Sequence, residues 1–63
     1  MNNAFMRIEE VAQELGVSKS YAYKVVRKLN VELQEMGYLT VSGRISRKYF
    51  FEKIYGGEKP GKE

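Results

Sequence analysis

Three residues, Gly16-Val17-Ser18, separate two apolar stripes in the first half of this 63-residue chain. Ile8, Val11, Ala12 and Leu15 recur at i, i+3, i+4 and i+7, which is one face of a helix. After the gap, Ala22, Val25, Val26, Leu29, Leu33 and Met36 repeat the helical spacing. Two helices joined by so short a connection must meet steeply. They need a small residue where they touch, which Ala12 supplies. They also need a turn residue that tolerates positive φ, which Gly16 supplies. Val17 can plug the angle between the helices, while Ala22 and Val25 anchor the second on the first. Ser18 is a suitable N-cap for the second helix. Glu9 and Glu10 fall in the first turn of the first, where carboxylates suit the positive end of the macrodipole.

The second stripe predicts a helix that Gly37 stops. Its length of about five turns is large for a small domain, and Asn30, a poor helix-interior residue, marks a place where it can break. Tyr38-Leu39-Thr40-Val41 is aromatic and β-branched, as strands prefer. Ser42-Gly43 signals a turn and Arg44-Ile45 a return strand, which together predict a short hairpin. Two-residue and bulged loops would give it different registers. Ser46 reads as the N-cap of a last helix running to about Tyr55, ended by Gly56-Gly57. Phe50 and Ile54 share its core face, and Tyr38 and Tyr49 are expected to join them.

Phe51 and Tyr55 lie on another face of that helix. An exposed aromatic pair there would suit a dimer or partner surface, as would any part of the stripe over residues 29–36 that the short first helix leaves uncovered. Residues 1–5 read as a loose lead-in, with Phe5 able to fold back onto the core. Residues 57–63 read as a disordered polar tail. The expected fold class is mainly α with a small β-hairpin, in a single domain over residues 1–56.

Composition narrows the chemistry. The chain has no cysteine and no histidine. No disulfide or thiolate zinc site can hold it, and both the commonest metal ligand and the commonest general base are missing. With no aspartate either, and no glycine-rich phosphate loop, no catalytic constellation can be assembled. The expectation is a non-enzyme that needs no cofactor, metal or small-molecule ligand. A chain this short is expected to hold one domain, so regulation would come from partners, oligomerisation or protein level. No apolar run approaches the roughly 20 residues of a membrane span. The first residues lack a signal peptide's apolar core, and a cytoplasmic location is expected.

Eleven basic residues oppose eight acidic ones, for a net charge of +3. Their distribution says more than their sum. Lys19, Lys24, Arg27 and Lys28 lie in a stretch with no acid between Glu14 and Glu32. Arg44, Arg47 and Lys48 lie in another, between Glu35 and Glu52. Such segregation can present a basic face to a polyanion, or it can be ordinary solvated surface.

Residues 8–25, with their small residue, turn glycine, following valine and two later anchors in register, resemble the helix-turn-helix family. The order helix, turn, helix, hairpin, helix resembles the winged-helix proteins of the MerR and excisionase type. Excisionases are small proteins of phages and integrative elements that bend DNA and direct an integrase toward excision. The stretch MGYLT…GRISRKYFFEKIYG is also similar to small helix-turn-helix proteins carried on mobile elements of Gram-positive bacteria. The long second helix departs from the usual excisionase pattern.

The resemblance implies double-stranded DNA as partner, with the second helix in the major groove. Side chains on that helix pointing away from Ala22 and Val25 are then the base readers: Lys19, Ser20, Tyr23, Lys24 and Arg27. Arg27 has the bidentate fork suited to guanine, and Lys24 can donate to the same edge. Ser18 and Lys28 are backbone candidates, and Tyr21 either covers the core or touches the backbone. Arg44 at the hairpin tip suits the backbone or the minor groove. Arg47 and Lys48 sit in the first turn of the last helix, where cations oppose the macrodipole. A phosphate there would satisfy both side chains and the free N–H groups; two solvated cations are the plain alternative. The job is either excision or transcriptional regulation. In competition stands a scaffold that makes only protein contacts, for example with an integrase or a polymerase subunit; an integrase or a second copy of the chain is also the expected protein partner of a DNA binder.

Overall fold

A computed structural model of the chain describes residues 4–56. In chain order the elements are strand β1 (Phe5–Arg7), helix α1 (Ile8–Leu15), helix α2 (Lys19–Glu35), strand β2 (Arg44–Ser46) and helix α3 (Arg47–Tyr55). The fold is mainly helical with one two-stranded antiparallel sheet, as the helix-turn-helix-plus-wing reading expects. The proposed tail, residues 57–63, lies outside the described residues.

Local chemistry starts and stops each helix. At the head of α1, the Glu10 carboxylate accepts from the Arg7 backbone N–H at 2.9 Å, satisfying one of the free donors there. Gly16 ends α1 with φ +70°. Its N–H donates to the Ala12 carbonyl at 2.8 Å and the Val17 N–H to the same oxygen at 3.0 Å. This double closure turns the chain into α2. Ser18 caps α2 by accepting from the Tyr21 N–H at 3.1 Å. Ser46 caps α3 by accepting from the Tyr49 N–H at 3.2 Å.

Every element contributes to the core. Val11 and Ala12 from α1 meet Ala22, Val26, Leu29 and Leu33 from α2, with Met6, Ile45 and Phe50 from β1, β2 and α3. Val17 and Val25 pack against this cluster, in the roles that the spacing predicts. Burying each large side chain stabilises the fold by about 1.5–3 kcal/mol.

The strand pair differs from the hairpin expected from sequence. β2 pairs with β1, in the register Phe5↔Ser46, Met6↔Ile45, Arg7↔Arg44. Residues 38–41 form no strand. The lead-in supplies the partner because Met6 can place a buried side chain opposite Ile45, whereas residues 38–41 have no inward face. Leu39 is 96% exposed, and Tyr38 and Val41 are exposed as well. Tyr38 therefore does not join the core, although Tyr49 does pack against it.

Helix α2 runs unbroken through Asn30. The Asn30 amide donates to two tertiary carbonyls, Arg44 at 2.8 Å and Val41 at 3.3 Å. Its side chain is thus committed elsewhere and does not compete for the helix backbone.

The aromatic pair on α3 is also placed differently from expectation. Phe51 and Tyr55 are half-buried. Their rings stack at 5.7 Å, and Phe51 meets Phe50 edge-on at 5.3 Å. The Tyr55 hydroxyl donates to Glu14 on α1 at 3.2 Å. These contacts use up the surface that would have served a partner.

Two carboxylates brace the helices. Glu32 accepts from the Tyr49 hydroxyl at 2.8 Å and meets Lys53 at 3.4 Å. Those bonds, the tyrosine's foremost, hold its pKa below the ordinary 4.5. Glu10 is held below 4.5 first by the Arg7 N–H and then by Arg47. Depressed folded values mean that this stabilisation is complete above the unfolded pKa and is lost as pH falls through the folded one. Thermal unfolding followed by circular dichroism should therefore show Tm falling as pH drops below about 4.5. A Glu10→Gln, Glu32→Gln double variant should show a lower Tm at neutral pH and a flatter acid limb; an unchanged limb would remove both carboxylates from the bracing.

Candidate nucleic-acid interface

Helix α2 has two unlike sides. Ala22, Val26, Leu29 and Leu33 turn inward and are buried. Lys19, Ser20, Tyr23, Lys24 and Arg27, the residues that the motif singles out, are all exposed. At 3.6 residues per turn, Ser20, Tyr23, Lys24 and Arg27 fall on the half of the helix away from the buried stripe. Lys19 opens the first turn, next to the Ser18 cap.

Residues 38–43 form the wing, and its turn sits beside this surface. Arg44 N–H donates to the Val41 carbonyl at 3.1 Å, closing a four-residue turn with Gly43 at φ +77°. Only glycine adopts that geometry without strain. Tyr23, Arg27, Asn30, Val31 and Gln34 from α2, with Thr40, Ser42 and Gly43 from the wing, line one groove. The Gln34 amide donates to the Thr40 hydroxyl at 2.9 Å, tying the two walls near one end. The Asn30 amide ties them further along, gripping the turn at both its first and last carbonyls. Sequence reasoning noticed Asn30 only as a weak point in the helix. The usable signal was its place next to Leu29 and four residues from Val26, on the edge of the buried stripe.

The other cations divide into two groups. Arg44 and Lys48 are exposed. Arg47, by contrast, meets Glu10 of α1 at 3.4 Å through its guanidinium, and its N–H donates to the Ala4 carbonyl at 2.8 Å. Its cost at the N-terminus of α3 is offset within the fold. Lys28 lines a shallow depression together with Lys24, Arg27, Glu32 and Glu35. Tyr21 is 55% exposed, so it does not cover the core.

An apolar groove runs along another side of the wing. Phe5, Leu33, Met36, Tyr38, Leu39 and Tyr49 line it, with Lys48 and Glu52. Met36 is 55% exposed, so α1 leaves the far end of the α2 stripe uncovered. Among the described residues, no group of three or more acidic side chains could hold a metal ion. No described helix is long and apolar enough to cross a membrane.

Comparison with known proteins adds one relative of nearly the same length. Over 60 residues the chain is 33% identical to the ICEBs1 excisionase of Bacillus subtilis (strain 168), covering 94% of each protein. The chain belongs to the excisionase family. No protein-family model matches it, and no solved structure does. In this member of the excisionase family, the exposed side of α2 and the turn of the wing share one groove. The length of α2 is what carries Asn30 and Gln34 beneath the wing.

The different settings of Arg47 and Lys48 can be separated by stability alone. Arg47→Ala should lower Tm at low salt, with the loss shrinking as salt screens the pair. Lys48→Ala should leave Tm unchanged or raise it slightly, since it removes a cation from the first turn of α3. Equal effects of the two on thermal melts would contradict the assignment of Arg47 to the fold.

Proposed function

We propose that the protein binds double-stranded DNA in a sequence-specific manner and acts as an excisionase-like factor of a mobile element, a small non-catalytic protein that sets the direction of recombination. The observation that carries this reading is the division of α2. Its buried stripe is satisfied by the core, while five polar and basic side chains stand exposed, two of which, Tyr23 and Arg27, border the wing turn. Likeness to the ICEBs1 excisionase over nearly the whole chain supports the excision role over transcriptional regulation.

In this reading, the N-terminal half of α2 enters the major groove. Arg27 and Lys24 donate to base edges, with Tyr23 and Ser20 beside them and Lys19 at the entrance. Ser18, Arg44 and Lys48 meet the sugar-phosphate backbone. Arg47 contributes field more than contact, and Lys28 the same from the flank. An α2 docked this way brings the wing turn to the backbone that borders the groove.

Protein contact accompanies DNA binding here and does not replace it. The aromatic pair Phe51 and Tyr55 gives it no support, but the apolar groove with Leu39 does. An integrase or a second copy of the chain would seat there. Contiguous exposed apolar side chains on a small domain suit such a contact.

Binding selected from a random duplex pool tests the reading. Against the selected site, Arg27→Ala should cost about 1–3 kcal/mol and relax preference at one base position. Lys48→Ala should weaken binding to all duplexes and reduce the salt slope by about 1. Failure of the wild-type protein to shift any duplex at low salt would sink the proposal.

A further inference from the structure

The register of the sheet sets two arginines opposite each other. Arg7 on β1 pairs with Arg44 on β2. Met6 and Ile45, the neighbouring pair, are buried, and side chains alternate along a strand. Both arginines therefore stand on the outer face of the sheet, and both are exposed.

Like charges directly opposite across an antiparallel pair destabilise it. The fold offers neither guanidinium an ion pair or hydrogen bond among the described residues. Glu10 is near Arg7 and feels its charge, but its two oxygens are engaged elsewhere. One accepts from the Arg7 backbone N–H, and the other meets Arg47. Folding thus brings two cations together from positions 37 residues apart in the sequence, with only the through-space field of Glu10 to offset Arg7. Nothing in the core requires either side chain: an exposed strand position accepts most residues.

Arg44 also closes the wing turn that borders the α2 groove. Arg7 adjoins it across the sheet and opens α1. We propose that Arg7 and Arg44 form a two-arginine clamp for a phosphodiester group of the DNA backbone, next to the segment that meets the wing. Two guanidinium forks suit tetrahedral phosphate oxygens, which accept paired N–H donors. The clamp rests on the DNA-binding reading above and adds Arg7 as a backbone contact that no reading of the linear sequence suggests.

The clamp separates stability from binding by sign. Arg7→Ala removes a repulsion, so its Tm at low salt should equal or exceed that of the wild type. Its affinity for the selected duplex, measured by fluorescence anisotropy, should fall several-fold. The slope of log K against log salt should shrink by about 0.9, the signature of one phosphate contact. Arg7→Glu should reduce affinity more than Arg7→Ala does. Arg7→Lys should restore most of the salt slope and only part of the affinity, because a lysine lacks the fork.

If the wild type binds duplex but Arg7→Ala keeps its affinity and salt slope, the clamp is overturned and the wider reading stands. A Tm loss in Arg7→Ala as large as its binding loss would make Arg7 a structural residue and would also overturn the clamp. If the wild type binds no duplex, the DNA-binding reading itself fails, and the clamp with it.

Discussion

The pairing of Met6 with Ile45 under Phe50 is the contact on which the rest of the fold depends. Of the largest fully buried side chains, α1 and α2 supply only Val11 and Val26, too little for a domain of this size. The sheet brings two large side chains to that interface, and Phe50 closes it from α3. Arg47 N–H to the Ala4 carbonyl fastens the start of α3 to the start of β1 beside the same pair. Each of the three contributors comes from a different part of the chain, so none of the peripheral elements is dispensable. Small apolar cores of this kind lack redundancy, and each large side chain in them matters in proportion.

With the core assembled this way, the surface is sorted as a by-product. α2 is longer than α1, and its buried stripe is shared between α1 at one end and the sheet, wing and α3 toward the other. Its opposite side is left exposed over the N-terminal half, and the cations there meet no acid until Glu32. Glu32 is itself engaged by Tyr49 and Lys53. The charges used for bracing thus lie toward the α3 side, and the charges left over lie toward the groove. The proposed interface follows from that division of labour more than from any single residue.

Helix positions and caps were legible in the sequence because they are local. Ser18 and Ser46 cap where their spacing says they should, and Gly16 turns the chain as its place after Leu15 demands. The partner of β2 was not legible. Residues 38–41 have strand composition, yet a strand also needs a partner and an inward face, and both are long-range properties. The same limit hid Asn30, whose value comes from carbonyls 11 and 14 residues away. It hid Arg7 as well, which becomes noticeable only once β1 is seen to lie against β2. For the aromatics of α3, periodicity identified the faces but not what would cover them. α1 comes close enough for Glu14 to take the Tyr55 hydroxyl, and that closed a surface that had looked open.

The Asn30 amide grips the wing turn at both ends, and this has a mechanical meaning. A loop of this length would ordinarily adapt its position to whatever it touches. At Val41 and Arg44 it is tied at two points to a side chain rooted in the middle of α2. Helix and wing then act as a single rigid caliper. On the proposed reading, any misfit between the caliper and a straight duplex has to be taken up by the duplex. Sequences that bend easily would be favoured at base pairs that no side chain touches.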